Sequence, residues 1–124
     1  MRTMLAVAAG GALGALLRLW VAQGVQALLG RGFPFGTLVV NVSGSLAMGV
    51  VYVLFFERFD IPPEWRAALV VGFLGAFTTF STFSMDTLLL VQQGEHARAG
   101  MNVVLSVVLC LAGCWLGMAA ARQF

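Results

Sequence analysis

Four apolar stretches, each long enough to cross a lipid bilayer, limit what this 124-residue chain can fold into. They cover residues 3–29, 37–56, 67–91 and 101–121. A helix rises 1.5 Å per residue, so about 20 apolar residues span a hydrocarbon core that is roughly 30 Å thick. The segments between the stretches carry the Gly, Pro and charged residues that are typical of connections. The sequence therefore predicts an all-α membrane protein with a single four-span domain over residues 1–124.

The composition points to lipid as the surrounding medium and excludes several classes of function. Hydrophobic residues make up 60% of the chain and charged residues only 10%, whereas about a quarter of a soluble globular chain is charged. No basic tract supports nucleic-acid binding. The sole histidine, His96, lies in a polar connection beside Glu95, with no nucleophile or set of metal ligands around it. We therefore expect a protein that is not an enzyme.

The third apolar stretch contains an unusual segment at residues 72–84. It combines two glycines, five hydroxyl side chains and four phenylalanines. Glycine and β-branched threonine weaken a helix, and the hydroxyl groups need hydrogen-bond partners that lipid does not offer. Irregular backbone at membrane depth is tolerated where it is buried in protein or lines a cavity. The segment therefore predicts a binding site or a pathway within the membrane.

Polar side chains at helical spacing give three of the stretches a polar stripe on one face. They are Thr37, Asn41 and Ser45; Thr78, Thr82 and Asp86; and Asn102 and Ser106. Hydrogen bonds between helices account for Ser45, Thr87 or Asn102 taken alone. Around Asn41 and the threonine-serine cluster, however, there are more donors than helix packing requires. Hydroxyls, amide N–H groups and aromatic ring edges suit a small anion, and no cluster of buried carboxylates is available for a cation or a proton.

Two charged residues lie within the apolar stretches. Arg18 is compatible with two roles: it gathers anions in a water-filled vestibule, or it anchors a tilted first helix at the membrane interface. Asp86 is compatible with a place near a water-filled vestibule or with pairing to an arginine of another helix, and we expect the pairing. Cys110 and Cys114 are expected to be small apolar residues on one helix face, because a disulfide framework or a metal site needs more ligands.

The arginines define the orientation of the chain only weakly. Four spans place both termini and the second connection on one side, with Arg2, Arg58, Arg66 and Arg122, and leave Arg31 and Arg98 on the opposite side. By the positive-inside rule this difference is compatible with a single orientation or with insertion in both orientations. Small residues at spacing four allow helices to approach closely, as in Gly10–Gly14, Gly72–Ala76 and Gly113–Gly117. Four spans make a thin bundle, so we expect homo-oligomerisation.

Three motifs occur in order along the chain and together resemble a known family. They are GGALGALLR at residues 10–18, GTLVVNVSG at residues 36–44 and GFLGAFTTFSTFS at residues 72–84. The set resembles the signatures of the Fluc fluoride channels, also called CrcB proteins, over essentially the whole chain. The resemblance implies a passive fluoride channel of the bacterial inner membrane that exports toxic fluoride. It also implies an antiparallel, dual-topology homodimer with two pores.

The resemblance also implies roles for individual residues. Phe80 and Phe83 would turn their ring edges toward fluoride, and Asn41 would donate its amide. Arg18 matches the vestibule arginine of the family. Further pore hydroxyls would come from Ser81, Thr82 and Ser106.

A structural sodium ion is the cofactor that the resemblance implies. The break in the third span would fall at residues 75–78. Main-chain carbonyls of Gly75 and Thr78 from both subunits would hold Na⁺ on the dimer axis. One departure concerns Cys110, whose thiol is a weaker donor than the hydroxyl of a serine.

Two alternative functions remain open at this stage. One is a small four-span multidrug exporter coupled to protons, a class that needs an acidic residue in its first span. Here the first span carries Arg18 and no Asp or Glu. The other is a membrane subunit without transport activity, which leaves the hydroxyl and phenylalanine residues of the third span without a purpose.

Overall fold

The computed structural model describes all 124 residues, and all of its regular secondary structure is helical. Four helical segments are long and apolar enough to cross a membrane: Arg2–Leu29, Phe35–Arg58, Pro63–Gln92 and His96–Arg122. The first, second and fourth are named α1, α2 and α5. The predicted four-span, all-α architecture is therefore confirmed. The helices extend a few residues beyond the apolar stretches, because charged residues continue their ends.

The connections begin and end at residues suited to those positions. Gly30 follows α1 with a φ of 88°, and Gly94 precedes α5 with a φ of 79°. Glycine adopts this left-handed region without the steric cost that a side chain brings. The third span begins at Pro63, whose missing N–H is not needed in the first helical turn.

The third span consists of two helices, α3 over residues 63–77 and α4 over Phe80–Gln92. Between them, Thr78 (φ −88°, ψ 156°) and Thr79 (φ −151°, ψ 121°) have extended backbone. The Thr78 N–H still donates to the Leu74 carbonyl at 3.0 Å. Extended geometry therefore starts at Thr78. The Thr79 hydroxyl caps α4 by accepting from the Thr82 N–H at 3.2 Å, which is a common role for threonine at a helix start.

Helices α1 and α3 pack through glycines with main chain against main chain. A Cβ atom added at Gly10 or Gly14 would collide with carbonyl groups of α3. One added at Gly72 would lie only 2.6 Å from the carbonyl oxygen of Val7. The predicted close approach at Gly10–Gly14 is confirmed, and Gly72 contributes to the same interface.

Helices α2 and α5 form a second interface of the same kind. A Cβ atom at Gly49 would collide with the carbonyl of Cys114, and one at Gly113 would lie 3.3 Å from the carbonyl oxygen of Val42. Gly117 has equally little room, against the main chain of α2. The predicted contact at Gly113–Gly117 is confirmed.

Polar contacts at the two ends of the bundle show how the helices alternate. At one end, Arg122 forms an ion pair with Glu57 at 3.0 Å, and Arg58 donates to the Arg122 carbonyl. At the other end, the Arg98 guanidinium donates to the Gly32 carbonyl at 3.1 Å. The second connection therefore shares one end with the C-terminal segment, and the first and third connections share the other.

Candidate ion-permeation site

The extended backbone between α3 and α4 is held by a single side chain of α2. The Asn41 amide nitrogen donates to the Thr79 carbonyl at 3.0 Å, and the Thr79 N–H donates to the Asn41 side-chain oxygen at 2.8 Å. A carboxamide offers a donor and an acceptor side by side, as a peptide group does. Asn41 therefore satisfies both main-chain groups of Thr79 and keeps one N–H for another acceptor.

Gly44 supplies the space that the extended backbone needs. A Cβ atom at this position would collide with the methyl group of Thr78 and lie 3.1 Å from a ring carbon of Phe77. Asn41 and Gly44 are three residues apart and share one face of α2. One helix face thus provides both the polar anchor and the room for the extended segment.

A groove of about 420 Å³, which we call the aromatic groove, opens on one side of Thr79. Asn41, Phe80, Phe83 and Ser106 line it together. The rings of Phe80 and Phe83 have centroids 5.4 Å apart and planes tilted by 46°. No charged side chain lines this groove. Its polar groups are amide, hydroxyl and main-chain groups, which suit a ligand that accepts hydrogen bonds.

A second groove of about 460 Å³, the arginine groove, lies between α1, α2 and the start of α4. Arg18 lines it together with Thr37, Thr79 and Thr82. The three ion pairs of the chain join other residues, so Arg18 has no counter-ion in this chain. Because Thr79 lines both grooves, the extended backbone separates a cationic groove from an aromatic one.

Asp86 does not pair with an arginine of this chain, and that expectation is wrong. Its carboxylate instead accepts a hydrogen bond of 2.8 Å from the Thr37 hydroxyl. Thr37 lies on the facing helix α2 and supplies the donor that a carboxylate at this depth requires. The contact joins α2 to the middle of α4.

A chain of hydrogen bonds joins α5 to the backbone beside Phe83. Asn102, only 1% exposed, donates to the Thr87 hydroxyl at 2.9 Å. Thr87 in turn donates to the Phe83 carbonyl at 2.8 Å. The Ser106 hydroxyl lies 3.5 Å from the Asn102 side-chain oxygen. Interhelical hydrogen bonding, the role expected of Ser45, Asn102 and Thr87, is confirmed for Asn102 and Thr87, whereas Ser45 lines the aromatic groove without such a bond.

Comparison with known proteins identifies the family of this chain. A family model described as "CrcB-like protein, Camphor Resistance (CrcB)" matches residues 5–118. The chain belongs to the CrcB family. The family resemblance inferred from the three motifs is thereby confirmed. Together with the four spans, it describes a multi-pass membrane protein.

Relatives of this CrcB family member carry the name "Fluoride-specific ion channel FluC". One from Methylococcus capsulatus is 54% identical over 98% of the chain, which spans only 53% of that relative's length. One from Shewanella amazonensis is 55% identical, with 94% of each chain covered. One from Pseudoalteromonas translucida is 50% identical over 94% of this chain and 98% of its own. The shared name is that of a channel and not of an enzyme.

The predicted site residues of this CrcB family member fall into three groups: those that line the aromatic groove, those that line the arginine groove, and those that line neither. Asn41, Phe80, Phe83 and Ser106 line the aromatic groove, and Arg18 and Thr82 line the arginine groove. Ser81 lines neither groove, and its hydroxyl lies 3.2 Å from that of Thr79. Gly75 is exposed, and a Cβ atom there would have no neighbour nearer than 3.6 Å. Thr78 lines the aromatic groove.

Sequence reasoning assigned no role to two residues that shape the site, Thr79 and Gly44. A signal existed for each. Thr79 precedes Thr82 by three residues, which is the spacing of a threonine cap at a helix start. Gly44 follows Asn41 at a spacing that keeps both on one helix face.

Proposed function

We propose that this chain forms a passive, fluoride-selective channel through which toxic fluoride leaves the cell across a bacterial inner membrane. The observation that carries the proposal is the convergence of Asn41, Phe80 and Phe83 on one uncharged groove beside the extended backbone of the third span. Relatives about half identical to this chain, which are named fluoride-specific ion channels, support the choice of substrate.

The aromatic groove offers what a dehydrating fluoride ion needs. Asn41 commits one amide N–H to Thr79 and has a second to donate. The edges of Phe80 and Phe83 carry partial positive charge and replace part of the hydration shell. Since no full positive charge lines the groove, binding stays weak enough for the ion to leave. Larger anions gain less from such short contacts and lose more to steric crowding.

Arg18 serves this pathway as a vestibule residue. Its guanidinium faces a groove lined by hydroxyls and lacks a counter-ion, so it raises the local concentration of anions. This placement supports the vestibule role over that of an interfacial anchor. Thr82 lines the same groove, and Ser106 adds a hydroxyl to the aromatic groove. Ser81 contributes its exposed hydroxyl where a second subunit completes the pathway.

The functional unit in this proposal is an antiparallel homodimer with two pores. Both grooves are open at the surface of the single chain, and Phe80 is 78% exposed. A second copy closes the grooves into pores and covers this ring. The weak arginine bias permits insertion in both orientations, which an antiparallel pair requires. Lipid surrounds the outer faces of the pair.

The carbonyl groups of the interrupted span fit a structural Na⁺ at the dimer axis. The Thr79 N–H, which in a continuous helix would pair with Gly75, donates to Asn41 instead. The Thr82 N–H, which would pair with Thr78, donates to the Thr79 hydroxyl. The carbonyl oxygens of Gly75 and Thr78 are thereby left without their helical donors, and unwound carbonyls suit a hard cation such as Na⁺. The ion would supply the positive charge that lets facing carbonyls of two subunits approach.

Efflux from liposomes tests the proposal. Liposomes loaded with fluoride or chloride and containing the purified protein should release fluoride rapidly, without a pH gradient, and retain chloride. Phe80→Ile and Phe83→Ile should each abolish fluoride release while the protein still elutes as a dimer. Phe59→Ile, in the exposed second connection, serves as the matched control and should behave like wild type.

Two results would contradict this assignment. Normal fluoride release from dimeric Phe80 and Phe83 variants would remove the aromatic groove from the pathway. Transport that requires a pH gradient would favour the proton-coupled exporter. No carboxylate lines either groove, so the structure offers that alternative no support.

A further inference from the structure

We propose that Met48, Cys110 and Cys114 form a binding site for a soft monovalent metal ion, Cu⁺ or Ag⁺, within the aromatic groove. All three sulfur side chains line this groove. Both cysteines are free and partly exposed. The metal site itself depends only on these contacts, whereas its effect on flux rests on the proposed function.

The three sulfur side chains line the aromatic groove from two helices. Cys110 and Cys114 are four residues apart on α5, so their Cβ atoms lie about 6 Å apart on one face. Helices α2 and α5 touch at this level, because a Cβ atom at Gly49 would collide with the Cys114 carbonyl. Met48 directly precedes Gly49 and reaches the same groove from α2.

The ligand set determines the class of metal. Thiolate and thioether sulfur bind soft ions such as Cu⁺ in preference to Na⁺, Mg²⁺ or Ca²⁺. The chain has no cluster of three or more His, Cys, Asp or Glu side chains that would offer a competing site. We therefore assign the two cysteines a role as metal ligands, because Met48 on the facing helix supplies a third sulfur ligand.

Binding changes the charge of the groove. Each thiol that binds the metal releases its proton to water. Two thiolates, one monovalent cation and a neutral thioether make a complex with a net charge of −1. This charge lies in the groove that Phe80, Phe83 and Asn41 also line, where the low dielectric strengthens its repulsion of anions. The bound ion therefore blocks fluoride by charge and by volume.

Direct binding to the purified protein tests the site. Silver nitrate is added in chloride-free buffer, free Ag⁺ is removed by gel filtration, and retained silver is measured by atomic emission. Wild type should retain one Ag⁺ per chain, and the double variant Cys110→Ser/Cys114→Ser should retain none. Met48→Leu should weaken binding by about tenfold or more. Met101→Leu is the control, since this exposed methionine of α5 lies outside the aromatic groove and should not alter binding.

Efflux of fluoride from liposomes tests the consequence. Each protein is compared with itself, as the fraction of its own flux that is lost on adding Ag⁺. Wild type should lose most of its flux, and the double serine variant should lose none. Equal silver retention by wild type and the double variant would overturn the metal site, whatever the flux. Specific silver retention with unchanged wild-type flux would leave the site standing and count against the groove as the fluoride pathway.

Discussion

The two halves of the third span are attached to the rest of the molecule in opposite ways. Helix α3 lies against α1 through Gly10, Gly14 and Gly72, with main chain touching main chain. Helix α4 and the extended residues before it are attached by polar side chains, in three pairs: Asn41 with Thr79, Thr37 with Asp86, and Asn102 with Thr87. The attachment of α3 therefore depends on glycines that carry no side chain, and the attachment of α4 depends on particular hydrogen-bonding side chains.

This difference separates the structural half of the span from the half that faces the grooves. Close packing of glycine surfaces gains dispersion energy over many atoms and needs no polar side chain. Interhelical hydrogen bonds in membranes are individually weak, averaging about 0.6 kcal/mol. A few such bonds hold α4, whose other hydroxyls bond only to residues of the same span. We therefore expect larger side chains at the glycines to disrupt the packing of α3, and loss of hydrogen-bond donors to weaken the attachment of α4.

The largest effect is expected from Gly14→Leu. A side chain here collides with the Phe73 carbonyl, so α1 and α3 must separate at a cost of roughly 3 kcal/mol or more. Size-exclusion chromatography in detergent should show little or no monodisperse protein. Gly24→Leu is the matched control, because a Cβ atom at Gly24 has no neighbour within 4 Å. Equal elution profiles for the two variants would contradict the volume argument.

The next largest effect is expected from Asn41→Ala. It leaves the Thr79 N–H and carbonyl without partners, which costs about 2 kcal/mol, and it removes the donor that faces the aromatic groove. Thermal unfolding in detergent should shift down, and fluoride efflux should fall by more than tenfold. Ser43→Ala should leave both unchanged, because this hydroxyl bonds only to the Val40 carbonyl of its own helix. A stable variant with full flux would remove Asn41 from both roles.

A smaller effect is expected from the chain of bonds between Asn102 and Phe83. Asn102→Leu and Thr87→Val should each destabilise the protein by about 1 kcal/mol. Because both break one chain, the double variant should cost less than the sum of the two. Thr87→Ser keeps the hydroxyl and should unfold at the same temperature as wild type. Strict additivity in thermal unfolding would show that the two contacts act independently.

The smallest effect is expected from Thr37→Val, which removes the donor to Asp86. We expect a loss of about 0.6 kcal/mol, the average for a hydrogen bond between helices in a membrane. Fluoride efflux should fall less than in the Asn41→Ala protein. A larger fall than that would place Asp86 among the groups that govern the pathway and reverse the order proposed here.

The spans and the glycine contacts could be predicted because they depend on local patterns. Apolar length defines a span, and pairs such as Gly10–Gly14 mark a close approach without reference to the partner helix. The pairing of Asn41 with Thr79 joins positions 38 residues apart. No pattern within either segment reveals which residue faces which. The same limit explains the wrong partner expected for Asp86, since charge suggested an arginine and the fold supplied Thr37.

The grouping of Asn41, Phe80 and Phe83 was inferred from family motifs, and the structure adds why they meet. Thr79 turns the chain from α3 into α4, so the first residues of α4 start beside α2. Sequence reasoning placed the break at residues 75–78, whereas extended backbone occurs at Thr78 and Thr79. Helical propensity cannot locate this point, because the competing hydrogen bond comes from a distant helix.

The two hydrogen bonds between Asn41 and Thr79 limit how the sequence of such a chain can change during evolution. The Asn41 carboxamide that hydrogen-bonds to the main chain of Thr79 also lines the aromatic groove. A substitution at Asn41 that changes the groove therefore also disturbs the extended backbone at Thr79. In the proposed channel, a change at Asn41 would therefore alter the extended segment and the ion preference together, and a change of ion preference alone would have to occur at the phenylalanines or the sulfur side chains.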